Sequence, residues 1–130
     1  MENKTATAKG LTSASWKHGV EIAKRIRGKP VEQAQQILQD IITMKKPIRF
    51  TVYNGGMGHK PGIGPGRYPV KASKAILDLL RNAQANAGHK GLSKLTVQRI
   101  TTSNANSSRS GSRRGWDGKR MRIEITVGSA

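Results

Sequence analysis

The stretch that decides the fold runs from residue 95 to residue 127. It opens with the apolar run LTVQRI at 95–100 and closes with the alternating run MRIEITV at 121–127. The spacing of their aliphatic side chains predicts a strand at each end. Between the strands, residues 101–120 contain no large aliphatic side chain. Because a structureless loop of this length is uncommon in a compact domain, such a segment is usually functional or disordered.

The insert between the two predicted strands is basic. Its cations stand among Ser, Asn and Gly residues: Arg109, Arg113, Arg114, Lys119 and Arg120. We interpret residues 97–123 as a long hairpin arm that becomes ordered on a large polyanion. A Ser/Arg/Gly tract is also typical of plain disorder, and that alternative stays open. Trp116, flanked by glycines, is a candidate for stacking on a base or a turn residue that packs on its own hairpin.

Composition narrows the class of partner. The chain of 130 residues has 24 Lys and Arg against 7 acidic residues, a formal charge of +17 and a pI of about 11.3. Self-repulsion at this density favours a polyanionic partner, with nucleic acid ahead of a membrane surface. The sequence has no run long enough for a spanning helix and no signal-peptide core, which predicts a cytosolic or nuclear protein without a membrane partner.

The chain has few side chains that could carry out catalysis or bind a metal. Cysteine is absent, which removes thiol chemistry, disulfides and most zinc sites. His18, His59 and His89 stand in separate segments without metal-ligand spacing. The acids form no catalytic pair, so we expect no catalytic residue, no metal, no cofactor and no enzymatic activity.

Taken in order, the chain predicts an α+β domain over residues 12–130, preceded by a flexible basic tail at 1–11. Apolar residues at helical spacing predict helices at 16–26, 30–44 and 69–87, the first capped by Ser13 or Ser15 and ended by Gly28. A short extended segment follows at 48–53, and a Gly-rich loop at 54–66. This order of helices and extended segments predicts three helices packed on a small antiparallel sheet, with the hairpin protruding from it.

Several residues have two interpretations. The glycine spacing at Gly62, Gly64 and Gly66 is not that of a phosphate-binding loop, and we interpret this backbone as lying against another surface. Lys71 and Lys74 have the wrong sign for a helix start, which favours a bound phosphate there over a solvated face. Trp16 is more typical of the edge of a core than of a base platform.

Three motifs resemble a known family. Residues 66–80 (GRYPVKASKAILDLL) with 82–87 (NAQANA) closely resemble the third-helix signature of the L twenty-two family of large-subunit ribosomal proteins. Residues 17–22 (KHGVEI) with 26–29 (IRGK) are similar to its first helix, and 58–60 (GHK) resembles the loop of its archaeal and eukaryotic branch. The three motifs occur in the family's order and cover nearly the whole chain beyond the tail.

The resemblance implies a structural constituent of the large ribosomal subunit that binds ribosomal RNA through its globular domain. It also implies that the hairpin lines the nascent-peptide exit tunnel, with a tip formed by Ser107, Ser108, Arg109, Ser110, Gly111, Ser112 and Arg113. Implied partners are large-subunit ribosomal RNA, neighbouring ribosomal proteins and, transiently, the nascent polypeptide, in the cytoplasmic ribosome and without a homo-oligomer. The alternative is a free-standing regulatory nucleic-acid-binding protein with a disordered basic insert.

Charge and resemblance together predict the RNA-binding residues. Arg25 and Arg27 are solvated charges in the alternative interpretation, and His59 and Tyr68 either contact RNA or brace the Gly-rich loop. The predicted set is Lys17, Lys24, Arg25, Arg27, Lys29, His59, Lys60, Arg67, Tyr68, Lys71, Lys74, His89, Lys90, Arg99, Arg109, Arg113, Arg114, Trp116, Lys119 and Arg120.

Overall fold

The computed structural model describes residues 5–52, 56–62, 64–105 and 120–129. These residues form helices on antiparallel sheets, which confirms the predicted α+β class. In chain order the elements are β1 (Thr5–Thr12), α1 (Trp16–Ile26), α2 (Val31–Ile42), β2 (Ile48–Arg49), β3 (His59–Lys60), β4 (Gly64–Arg67), α3 (Val70–His89), β5 (Leu95–Asn104) and β6 (Met121–Ser129).

The main sheet has the strand order β1-β6-β5. β5 and β6 are antiparallel, with Ile100 opposite Ile125 and Asn104 opposite Met121. The ladder is extended by a hydrogen bond of 3.0 Å from the Ala105 amide to the Arg120 carbonyl. Both predicted strands are therefore confirmed, and β5 continues four residues beyond Ile100. The insert at 106–119 lies outside the described residues.

The expectation of a flexible tail at 1–11 is wrong for residues 5–11. These residues belong to β1, which pairs with β6 from Thr5 opposite Gly128 to Thr12 opposite Met121. Ala6 and Ala8 are buried, and an added Cβ on Gly10 would meet the Leu79 side chain of α3 at 3.0 Å. Small side chains thus let β1 approach α3 closely, and residues 5–11 are part of the folded sheet.

A bulge resets the register of β5. Pairing with β6 shifts between Val97 and Arg99, and Val97 and Ile100 are both buried although they stand three residues apart. The extra residue of the bulge allows this spacing, because regular alternation would place one of them on the solvent side. Two residues just after α1 form backbone hydrogen bonds with Val97, next to the bulge. The Gly28 amide donates to the Val97 carbonyl, and the Val97 amide donates to the Lys29 carbonyl, each at 2.9 Å.

The helices follow their apolar stripes. α1 begins and ends as predicted; Ser15 is its N-cap without a side-chain hydrogen bond, and Gly28 beyond its end has a φ of 80°. α2 ends at Ile42, two residues before the predicted end, and Met44 has a φ of 59°. α3 continues two residues past the predicted Ala87 to His89. Trp16 is partly buried against the core, which confirms its interpretation as an edge residue.

A second small sheet, of order β2-β4-β3, forms from the Gly-rich region and the segment before it. Ile48 and Phe50 are buried as their alternation predicts, and the His18 ring contacts Phe50 edge-on with 5.5 Å between ring centroids. Val52 is 53% exposed, so the inward alternation ends at Phe50. This sheet lies beside α1 and brings its own cations to that helix.

Candidate nucleic-acid interface

Cations occupy the side of α1 that faces away from the core. The apolar side of the helix buries Ile22 and Ile26, whereas Lys17, Lys24 and Arg25 are exposed. Lys17 and Lys24 are two helical turns apart and share one face. The helix therefore presents a line of positive charge to solvent.

A groove beside α1 combines charge from two elements. It has a volume of about 400 Å³ and is lined by Glu21, Lys24, Arg25, Pro47, Arg49, Thr51 and Gly62; we call it the basic groove. Lys24 Nζ donates to Thr51 Oγ1 at 3.2 Å, which holds this ammonium at the groove wall. Arg49 of β2 is exposed and supplies the third cation. The three cations of the groove suit a phosphate group.

Sequence reasoning missed Arg49. The alternation of Ile48, Arg49 and Phe50 does carry the signal, because two buried neighbours require the residue between them to point outward. The position of the Arg49 guanidinium next to α1 could not be predicted from the sequence. It depends on the pairing of β2 with β4 and on the packing of these strands beside the helix, which only the tertiary structure shows.

Glu21 is the acidic residue of the groove, and it is 1% exposed. Its carboxylate accepts hydrogen bonds from the backbone amides of Thr51 at 2.8 Å and Val52 at 2.9 Å, and from the Thr51 hydroxyl at 3.4 Å. Both carboxylate oxygens thus point toward the backbone after β2. Glu21 fixes the groove wall, and sequence reasoning missed it because charged helical residues are mostly solvated.

Arg27 and Lys29 lie where α1 meets β5. Arg27 Nη2 donates to the Ile100 carbonyl at 3.0 Å, so this guanidinium braces the base of the arm. Lys29 is half-buried. A second groove of about 220 Å³ runs between α1 and β5, with Lys24 and Arg27 on its α1 side. Lys24 therefore stands on the ridge between two grooves.

The second sheet places its predicted residues next to this region. His59 and Arg67 are exposed, whereas Lys60 and Tyr68 are half-buried. Arg67 follows Gly66, which pairs with Arg49. Arg67 of β4 thus lies one residue from Gly66, the residue that pairs with Arg49 of β2.

The start of α3 continues the basic surface. Lys71 and Lys74 are exposed, the first turn holds no acid, and the N-cap is Pro69. The Ser73 hydroxyl is fully buried, and no residue in the described part of the chain forms a hydrogen bond with it. Three residues separate Arg67 from Lys71, so the second sheet and the helix start form one continuous region of the surface.

His89 and Lys90 lie at the opposite end of α3. A helix of 20 residues is about 30 Å long, so the fold does not bring these two residues to the helix start. Lys90 Nζ donates to the Thr5 carbonyl at 2.9 Å, and Asn86 Nδ2 donates to the Thr7 carbonyl at 3.1 Å. Lys90 thus has an intramolecular role as a brace for β1.

The arm carries the remaining predicted residues. Arg99 and Arg120 are exposed at its base. The other predicted RNA contacts and the predicted tip lie outside the described residues: Ser107, Ser108, Arg109, Ser110, Gly111, Ser112, Arg113, Arg114, Trp116 and Lys119.

Other site classes have no counterpart among the residues that the structure describes. Within 5–52, 56–62, 64–105 and 120–129, no three His, Cys, Asp or Glu residues cluster as metal ligands would. In the same part of the chain, no helix is both long enough and apolar enough to cross a membrane.

Fold and surface define a small, strongly basic α+β domain with a hairpin extension. Residues 7–123 match the family model described as Ribosomal protein L22p/L17e, and the chain belongs to this family. The resemblance deduced from the motifs is thereby confirmed.

The curated relatives are archaeal proteins named large ribosomal subunit protein uL22. That of Archaeoglobus fulgidus is 44% identical over 95 residues, covering 70% of this chain and 61% of the relative. That of Methanocaldococcus jannaschii is 45% identical over 105 residues, covering 76% and 67%. That of Methanothrix thermoacetophila is 40% identical over 119 residues, covering 88% and 76%. The chain thus spans about three fifths of the Archaeoglobus relative.

Proposed function

We propose that this chain is a structural, non-enzymatic constituent of the large ribosomal subunit in the cytoplasm, and that it binds large-subunit ribosomal RNA. The observation that carries the proposal is the family match over residues 7–123, together with relatives named as large-subunit proteins. Neighbouring ribosomal proteins are its further partners.

The globular domain holds RNA through phosphate contacts. Lys24, Arg25 and Arg49 converge at the basic groove, and Lys17 extends their line of charge along α1. Each neutralised phosphate releases condensed counterions, so affinity falls steeply with added salt. The described lining residues of the groove fit a backbone phosphate and include no aromatic side chain on which a base could stack, which favours recognition of RNA shape over sequence.

The second sheet and the start of α3 form the next part of the interface. Arg67, Lys71 and Lys74 are exposed, and His59, Lys60 and Tyr68 lie on the same region of the chain. Amide groups in the first turn of a helix favour an anion. A phosphate at this point would also compensate the two lysines, which otherwise oppose the helix dipole.

The arm is the third part of the interface. Its described base carries Arg99 and Arg120, and its insert carries further arginines among small residues. We infer that the arm passes between RNA segments and that its tip lines the nascent-peptide exit tunnel, where it meets the emerging polypeptide. The hydrogen bond from the Ala105 amide to the Arg120 carbonyl continues the ladder to the last described residues on either side of the insert, which supports a hairpin arm.

Chemical footprinting of large-subunit ribosomal RNA, with and without the full chain, tests the RNA-binding proposal. We expect protection at discrete RNA helices that disappears when salt is raised. Unchanged reactivity along the whole RNA at low salt contradicts it. A variant with Lys17 of α1 and the three cations of the basic groove neutralised (Lys17, Lys24, Arg25 and Arg49 to Gln) is expected to lose part of the protection.

A further inference from the structure

The N-terminal half of α1 lies against the stem of the arm, which we define as residues 100–104 of β5 and 121–125 of β6. Gly19 is a point of close approach. An added Cβ on Gly19 would stand nearer to Met121 Sδ than real Cβ atoms do, and 3.2 Å from both Cβ and Cγ2 of Thr102. The helix backbone therefore touches both strands of the stem directly.

The contacted side chains have little freedom to move away. Met121 is 0% exposed within the core, and Thr102 is β-branched and stiff about its first side-chain torsion. Glycine inside a helix is less favourable than alanine, so its place here calls for a packing reason. Gly88, also within a helix, has nothing within 4 Å of an added Cβ, which shows that Gly19 differs by its contact and not by its helical position.

Two more contacts join the residues just after α1 to β5. Arg27 Nη2 donates to the Ile100 carbonyl at 3.0 Å. The Gly28 amide donates to the Val97 carbonyl at 2.9 Å. The contacts on β5 thus run from Val97 through Ile100 to Thr102. Their partners run in the opposite direction along the chain, from Gly28 just after α1 back to Gly19 within it.

We propose that α1, acting on a sheet in which β1 pairs with the β6 half of the stem, sets the direction in which the arm leaves the domain, with Gly19 as its packing contact to the stem and Arg27 as its hydrogen-bond contact. Contacts at successive points along one strand fix both its position and its angle, whereas a single contact would leave it free to pivot. Both are positioning residues. The assignment goes beyond RNA binding, because it concerns the free protein and holds whatever the arm contacts.

Residual dipolar couplings measured by NMR on the full chain test this directly, because they report the orientation of the stem relative to α2 and α3. In Gly19→Ala, we expect the couplings of α2 and α3 to fit the wild-type coordinates and those of the stem to fit only after a rotation. In Gly88→Ala, the matched control, all couplings are expected to fit without rotation. Met121→Val removes the clashing sulfur, so the double variant G19A/M121V is expected to restore the wild-type orientation.

Each outcome decides the proposal. If the stem couplings of Gly19→Ala fit the wild-type coordinates together with those of α2 and α3, the contact at Gly19 does not set the orientation of the stem and the proposal is overturned. If Gly19→Ala does not fold, the proposal requires G19A/M121V to fold with the wild-type orientation, and failure of that variant overturns it as well. Arg27→Ala tests the hydrogen bond from Arg27 to the Ile100 carbonyl: stem couplings that are reduced or rotated support its positioning role, and unchanged couplings contradict it.

Discussion

The carboxylate of Glu21 accepts a hydrogen bond of 2.8 Å from the backbone amide of Thr51, which joins α1 to the segment after β2. Replacing Glu21 by Gln puts an NH2 group against a backbone N–H group. We expect the free energy of unfolding to fall by about 1–3 kcal/mol, the usual cost of a buried donor left unsatisfied. Urea denaturation monitored by circular dichroism measures it.

Glu32 supplies the matched control for that change. It is an exposed glutamate in the first turn of α2, and Glu32→Gln is expected to change stability by no more than about 0.5 kcal/mol. Equal effects of the two substitutions would show that Glu21 contributes only as a surface charge.

Two glycines are expected to respond to alanine in opposite directions. Gly28 has a φ of 80°, a conformation that costs an L-residue about 1–2 kcal/mol. Gly88 lies in α3 with open space around it, where alanine is expected to raise the free energy of unfolding by about 0.5–1 kcal/mol. Thermal unfolding of Gly28→Ala and Gly88→Ala compares them, and a stabilising Gly28→Ala contradicts the left-handed cap.

Arg49 is expected to contribute to RNA affinity through a phosphate. Arg49→Gln should reduce the steepness of the logarithm of affinity against the logarithm of salt concentration by roughly 0.7–0.9, the value for one phosphate contact. Filter binding to large-subunit ribosomal RNA over a salt series measures the slope. Arg81→Gln, which removes an exposed cation in the middle of α3, is the control and is expected to leave it unchanged; the same slope change in both variants contradicts a specific role of the groove.

The arm insert is expected to be dispensable for folding. Replacing residues 106–119 by Asn-Gly closes the ladder at Ala105 and Arg120 with a two-residue hairpin turn. Far-ultraviolet circular dichroism should keep the helical signal, and the salt slope of RNA binding should become less steep because Arg109, Arg113, Arg114 and Lys119 are removed. Loss of the helices, or an unchanged slope, is the contrary result.

Lys90 and Asn86 are expected to hold β1 in place. In the double variant Lys90→Ala and Asn86→Ala, the Thr5 and Thr7 carbonyls lose their partners on α3. Hydrogen exchange of β1 amides should accelerate while that of β5 stays slow, because local opening then requires less free energy. Exchange that is equal to wild type in β1 contradicts the bracing role.

Helices were predictable from the sequence because their apolar stripes dominate the local pattern. α1 follows its prediction at both ends. β1 was not predictable, since its inward positions Ala6 and Ala8 are small and its charge resembles that of a tail. Burial of this strand depends on the close approach of α3, which is a property of the tertiary structure and leaves no strong period of two in the sequence.

Some residues of the candidate site could likewise be predicted from the sequence, and others could not. The cations of α1 could be predicted from composition and helical spacing, whereas the position of Arg49 beside Lys24 depends on how β2 lies against that helix. Gly19 carried a usable signal, because a glycine inside a helix often has a packing reason. Glu21 carried none, since nothing in the local pattern distinguishes a buried glutamate from a solvated one.

Sedimentation of a cell extract on a sucrose gradient, with this chain detected by antibody, tests the central claim most directly. At low salt we expect the chain to move with the large ribosomal subunit, and to be released only when salt is raised far enough to weaken its phosphate contacts. A pool that stays at the top of the gradient while the large subunits move down contradicts a structural role in the ribosome and favours a free-standing nucleic-acid-binding protein.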